Sequence, residues 1–202
     1  MRLAVPKFQF RFVPSLGHVI HPGNFHPVGV QRSTDALVDR ALAAAGGPPT
    51  PGAGGNWLIV GGSGGFGSAA RVVLGTCLGA HTLNFSFDPA PQPESSNKLR
   101  KIGSPGFHRT LAIERRLGGL GLTARTVLGD AFDPAALAAV VEEVRARFGG
   151  RLHGLVWALA APRATDPRTG KPVGSALKPL GKPARVRTFS GRGETPEDLP
   201  KI

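Results

Sequence analysis

Five of the seven residues from Gly61 to Gly67 are glycine, in the order Gly61-Gly62-Ser63-Gly64-Gly65-Phe66-Gly67. The apolar run Asn56-Trp57-Leu58-Ile59-Val60 precedes them, and a helix-compatible stretch from Ser68 follows. Glycine permits a tight turn, brings backbone N–H groups close to an anion, and lets helix and strand pack with no Cβ between them. The start of the following helix adds its positive dipole end. The chemistry that suits this stretch is the holding of a pyrophosphate, with the Ser63 hydroxyl as a further donor.

A glycine turn also serves ordinary structure, so a second feature matters. "TLNFSFD" is a β-rich run that ends in Phe87 and Asp88, 21 residues after Gly67. A carboxylate at the tip of a second strand accepts both hydroxyls of an adenosine ribose and repels a 2′-phosphate. Asp88 in that role makes NADH the expected cofactor; the alternative is a solvated loop acid before Pro89. Asp130, with Ala131 in "GDAF", either meets the adenine edge or is a plain loop or cap acid. Leu159 and Ala160 lie in "ALAA", whose small residues suit a cofactor lying on them and equally suit helix packing.

Between residues 56 and 160 the chain reads strand, helix, strand, helix, strand, helix, strand. "NWLIVG", "TLNFSF", "TARTVL" and "HGLVWALA" are the strands. The helices are "SAARVVLGTCLG", "HRTLAIERRLGG" and "DPAALAAVVEEVRARFGG". The last is the clearest: Asp133 as N-cap, Pro134 in the first turn, Leu137, Val140, Val141, Val144 and Phe148 on one face, and Gly149-Gly150 as the stop. The alternation predicts an α/β fold, a Rossmann-like doubly wound parallel sheet, with ligands beyond the C-terminal strand ends. The spacing Gly61-x-x-x-Gly65-x-Gly67 is the form used by short-chain dehydrogenases. Residues 1–55 read as an N-terminal segment with a short helix over 35–45 and a Pro/Gly linker. Residues 56–185 are the nucleotide-binding domain, and 186–202 a disordered tail.

Composition narrows the function classes. The net charge is +12, but residues 163–192 alone hold eight Lys/Arg against Asp166 in Pro/Gly-rich sequence. That pattern is an irregular basic tail with no interleaved aromatics, and nucleic-acid binding is not expected. No apolar run approaches membrane-spanning length, so no membrane partner is expected. The single cysteine, Cys77, forms no internal disulfide and reads as a small core residue; a cytoplasmic location follows as the expectation. His18, His21 and His26 lack a companion carboxylate or cysteine, and no metal site is assigned. Trp57 and Trp157 read as core residues of strands.

"WLIVGGSGGFGSAARV", "TLNFSFD", "GDAF" and "LVWALAAPRATDPRTGKPVGSALKPLGKP" resemble the trans-2-enoyl-CoA reductases, also called type V enoyl-[acyl-carrier-protein] reductases. "FHPVG" at 25–29 is similar to their N-terminal segment, and the resemblance runs from about residue 18 to about 185. It implies NADH binding at Gly61, Gly62, Ser63, Gly64, Gly65, Phe66, Phe87, Asp88, Asp130, Ala131, Leu159 and Ala160. It also implies reduction of an enoyl thioester, on CoA or on an acyl carrier protein, in fatty acid synthesis. Three departures matter. Phe66 stands where the family has tyrosine, Trp157-Ala158 where it has Tyr-Ser, and Asp88 where it has glutamate. The family's catalytic tyrosine, and a lysine eight residues beyond it, lie in a C-terminal half that this chain does not match, and the chain contains no tyrosine. No catalytic residue is therefore assigned, Lys178 and Lys182 reading as solvated loop charges. The expectation is the truncated, cofactor-binding half of such an enzyme: a fragment, a frame-shifted product or a degenerate paralogue. The alternative is a catalytically inactive dinucleotide-binding or interaction protein.

Overall fold

A computed structural model describes residues 25–96, 98–160, 163–166 and 168–174, with the backbone of residues 11–13, 18–20, 184–190 and 193–199. The chain divides into two compact units, residues 25–173 and residues 1–24 with 174–202. In the smaller unit, β1 (Arg11–Val13) pairs antiparallel with β2 (His18–Ile20).

The larger unit begins with α1, Pro27–Ala45. This helix starts eight residues earlier than the sequence reading placed it, because Pro27 occupies its first turn, where a missing N–H costs nothing. Gly46, in the left-handed region at φ +81°, ends it. Then follow β3 (Asn56–Val60), α2 (Gly65–Leu78), β4 (His81–Ser86), a short α3 (Lys98–Ile102), α4 (Pro105–Gly118), β5 (Ala124–Leu128), α5 (Pro134–Phe148) and β6 (Gly154–Trp157). Ser104 caps α4 by accepting from the Phe107 N–H, and Asp133 caps α5 by accepting from Ala135.

The four strands make one parallel sheet in the order β5-β4-β3-β6. The chain steps outward from β3 to β4 and β5, then returns to the other side of β3 as β6. That reversal opens a crevice at the C-terminal ends of β3 and β6. Side-chain alternation sorts the core onto two faces. Val60, Leu83 and Phe85 pack with Val140, Val144 and Phe148 of α5. On the other face Ile59 packs with Leu74 of α2, while Val72, Ile113 and Leu117 join Val38 of α1.

Three single-residue expectations are corrected. Trp157 is 57% exposed, because its strand stands at the sheet edge and has no neighbour beyond it among the described residues. Cys77 is exposed, since α2 buries Val72, Leu74, Gly75 and Thr76 and turns Val73, Cys77 and Leu78 outward. The stripe on α5 is narrower than its sequence suggests: Val140, Val144 and Phe148 are buried, whereas Leu137 and Val141 are exposed.

Beyond β6, β7 (Arg163–Thr165) and β8 (Pro172–Gly174) form a two-stranded sheet. Within the stretch 186–202, expected from the sequence to be a tail, part of the backbone is described. Strands β9 (Ala184–Ser190) and β10 (Gly193–Leu199) pair antiparallel, with Ser190 opposite Gly193. Lys178 and Lys182 lie outside the described residues.

Candidate functional site

The glycine turn occupies the crevice. Gly61 has φ +87° and Gly65 φ +48°, left-handed values that disfavour any side chain. A Cβ on Gly67 would stand 2.3 Å from the Gly61 carbonyl oxygen, so glycine here is what lets α2 start directly against the turn. The α2 N-cap is Gly64, and no side chain caps the helix. Its first-turn amides therefore face the crevice with no side-chain acceptor of their own.

A cleft of about 700 Å³ opens over this turn. It brings together Gly61, Ser63, Gly64, Gly65 and Phe66 from the turn, Phe87 from the tip of β4, and Leu159 and Ala160 from beyond β6. Phe66 is 92% exposed and Phe87 77%, so two aromatic rings stand open at the mouth. An adjoining cleft of about 200 Å³ is lined by Phe87, Asp130, Ala131 and Leu159. Asp130 is exposed, and its Oδ1 accepts from the Phe132 N–H at 2.9 Å. That bond is the local loop-acid geometry.

Gly62 and Asp88 line neither cleft. Gly62 is buried beneath the turn, and its N–H donates to Asn84 Oδ1 at 2.8 Å. Asp88 stands at the β4 tip but leans under the N-terminus of α4. Its Oδ1 accepts from the Ser104 hydroxyl at 2.8 Å, and its Oδ2 is enclosed with no donor among the described residues. The packing is tight: a Cβ on Gly106 would fall 2.0 Å from Asp88 Oδ1.

Two groups that support the turn were not foreseen. The first is a buried polar network on the α2 side of β4. Asn84 Nδ2 donates to Ser86 at 3.2 Å and to Thr126 Oγ1 at 3.4 Å. Fully buried Arg71 donates to Thr82 at 3.3 Å, to Thr126 at 3.1 Å and to the Arg125 carbonyl at 3.1 Å. Glu114 faces the Arg71 guanidinium at 3.8 Å. Burial lowers the Arg71 pKa below the ordinary arginine value, to about 10, while the charge of Glu114 opposes the shift. The second is Arg109 on α4, whose Nη1 donates to the Ser63 carbonyl at 2.5 Å. The only sequence signal for Arg71 is a charge inside an apolar helix; for Asn84 it is a polar residue in the middle of a strand.

No group of three or more metal-ligating side chains occurs among the described residues. No helix among them is long and apolar enough to cross a membrane. His26 is the exposed N-cap of α1. The side chains of His18 and His21 lie outside the described residues.

A parallel sheet whose order reverses at β3, with a glycine turn leading into α2 at the reversal, defines a Rossmann-like α/β unit. The sequence carries this further. Residues 15–93 match the NAD(P)H binding domain of trans-2-enoyl-CoA reductase, and residues 101–197 match the trans-2-enoyl-CoA reductase catalytic region. This chain belongs to the trans-2-enoyl-CoA reductase family. The match continues past residue 185, where the resemblance read from sequence stops, into the β9–β10 hairpin.

Enoyl-[acyl-carrier-protein] reductase [NADH] of Pseudomonas fluorescens is 35% identical over 165 residues, covering 80% of this chain and 38% of the relative. Its counterpart in Pseudoalteromonas atlantica is 36% identical over 134 residues, covering 66% of this chain and 32% of the relative. The crystal structure of Treponema denticola trans-2-enoyl-CoA reductase in complex with NAD aligns with a TM-score of 0.68 at 27% identity, over 98% of this chain and 47% of the other. That of the Clostridium acetobutulicum enzyme in complex with NADH aligns with a TM-score of 0.67 at 26% identity, over 96% and 46%. The chain thus spans less than half the length of the relatives it matches.

Proposed function

We propose that this chain is the NADH-binding portion of an enoyl-thioester reductase. The observation that carries the proposal is the glycine turn at the sheet's reversal, open to a cleft and leading into a helix that no side chain caps. A pyrophosphate on the first-turn amides of α2 would receive hydrogen bonds and the helix's positive end. Ser63 adds a hydroxyl. Asp88 would turn its Oδ2, enclosed and without a donor among the described residues, to a ribose hydroxyl and so pair it. Asp130 and Ala131, in the smaller cleft beside Phe87, would flank the adenine. Leu159 and Ala160 would carry the nicotinamide end, against the wall formed by β6.

When bound, the reduced nicotinamide supplies hydride to the double bond of a trans-2-enoyl thioester, carried on CoA or an acyl carrier protein. Hydride addition builds negative charge on the thioester carbonyl oxygen. A donor placed there contributes roughly two to four powers of ten in rate. The chain contains no tyrosine to act as that donor, and the described cleft presents no cation in its place. Nucleotide binding without efficient turnover is therefore the expected property of this polypeptide, in a cytoplasmic setting.

Calorimetric titration with NADH tests the proposal. Wild-type chain should bind, and Gly65→Val should not, because a branched side chain at φ +48° distorts the turn and projects where phosphate must sit. Crotonyl-CoA should be turned over barely or not at all by either. No NADH binding by folded wild-type chain would remove the proposal.

A further inference from the structure

The nucleotide reading leaves one charge unused. Arg109 projects from α4 to the glycine turn, where its Nη1 donates to the Ser63 carbonyl at 2.5 Å. A Cβ on Gly64 would stand 3.4 Å from the same nitrogen. The guanidinium is half-buried and has no carboxylate within ion-pair distance among the described residues. One bond to a neutral carbonyl uses one of its five N–H donors. The positive charge therefore stands beside the phosphate turn without an anion to answer it among the described residues.

The side from which it comes identifies the anion. Gly106 and Arg109 are three residues apart on α4 and so share a face. Gly106 packs on the Asp88 carboxylate, and Arg109 reaches Ser63 and Gly64. This face of α4 thus spans from the tip of β4, where the adenosine ribose is expected, to the turn. The pyrophosphate, on the reading above, would have the first-turn amides of α2 for its partners. An adenosine ribose held on Asp88 would turn its 2′ position toward this face of α4, the side from which Arg109 comes. Asp88 would ordinarily repel a phosphate there. In this structure, however, its Oδ1 is held by the Ser104 hydroxyl and its Oδ2 is turned inward and enclosed.

Resting on the NADH-binding reading above, we propose that Arg109 is a specificity determinant that binds the 2′-phosphate of NADPH, so that this chain accepts NADPH as well as NADH. The two nucleotides use different groups. NADH draws the Asp88 carboxylate toward its ribose hydroxyls. NADPH leaves Asp88 on Ser104 and places its 2′-phosphate against the guanidinium. A planar guanidinium binds phosphate through paired N–H donors, which a lysine ammonium matches only as a point charge.

The test is calorimetric titration of the 202-residue chain with NADH, NADPH and 2′,5′-ADP, for wild type, Arg109→Gln and Arg109→Lys. Wild-type chain should bind all three. The ratio of NADPH to NADH affinity should fall about tenfold or more in Arg109→Gln, the scale of one lost charge-assisted bond pair. Arg109→Lys should recover part of that ratio. Far-UV circular dichroism separates these changes from loss of fold. An unchanged ratio in Arg109→Gln, even with both affinities reduced, would overturn the proposal and assign Arg109 to holding the turn. NADH binding with no NADPH or 2′,5′-ADP binding by wild type would overturn it while leaving the NADH reading intact. Failure of wild type to bind NADH would remove both.

Discussion

The N–H of Gly62 donates to Asn84 Oδ1 at 2.8 Å, and a Cβ on Gly62 would come within 2.4 Å of that oxygen. The floor of the glycine turn is thereby fixed to the middle of β4. Asn84 is joined in turn through Thr126 to Arg71, which faces Glu114, so a line of buried polar groups runs from α4 to the turn. Replacing Asn84 with alanine leaves the Gly62 N–H buried without an acceptor. Such a loss costs about 1–3 kcal/mol. Urea denaturation should show a lower midpoint with an unchanged slope, and NADH affinity should fall because the turn is released.

The sheet, its helices and the glycine turn were legible because each is a local pattern. Apolar runs of strand length alternate with 3.6-residue periodicity, and turn residues separate them. Asn84, Ser104 and Arg109 were not legible as site residues, because their roles rest on partners 16 to 46 residues away. Asp88 shows the same limit from the other side: its position at a strand tip was readable, its bond to Ser104 was not. Cys77 and Trp157 were misplaced because an apolar neighbourhood in sequence does not say which face of a helix, or which edge of a sheet, is left uncovered. The start of α1 was missed because His26-Pro27 reads as loop until the proline is recognised as a first-turn residue.

Asp88→Ala removes the proposed acceptor for the ribose hydroxyls. Charge-assisted bonds of this kind contribute about 1.5–3 kcal/mol, or roughly ten- to a hundredfold in affinity. NADH binding should weaken on that scale and NADPH binding much less, which narrows the preference for NADH. Stability should change little, because Ser104 still accepts from the Phe107 N–H and keeps α4 capped. Parallel titrations with the two nucleotides check this, and an unchanged preference would remove Asp88 from the site.

Arg71→Ala strips donors from Thr82, Thr126 and the Arg125 carbonyl and leaves Glu114 without its nearest buried cation. The expected loss is about 2–4 kcal/mol. Its dependence on pH follows from the lowered pKa. In the range from about 10 up to the ordinary arginine value the unfolded chain holds this proton and the folded chain releases it. This group's contribution to stability therefore rises with pH in that window and is flat below it. Denaturation midpoints should show the same difference between wild type and variant at pH 6 and pH 8.5.

At the β6 edge, Leu155 is 56% and Trp157 57% exposed, and the two lie on one face of the strand. An unpaired strand edge beside apolar side chains favours association. Light scattering after gel filtration should find the isolated chain self-associated, and Trp157→Lys should shift it toward monomer. A monodisperse wild-type monomer would contradict this prediction and favour a small paralogue stable by itself.

The most direct test of the central claim is a crystal structure of this chain grown with NADH. The account predicts the pyrophosphate on the backbone amides of Gly64, Gly65 and Phe66, the adenosine ribose toward Asp88, and the nicotinamide beside Leu159 and Ala160. Nucleotide bound elsewhere, or a glycine turn left empty at saturating NADH, would contradict it.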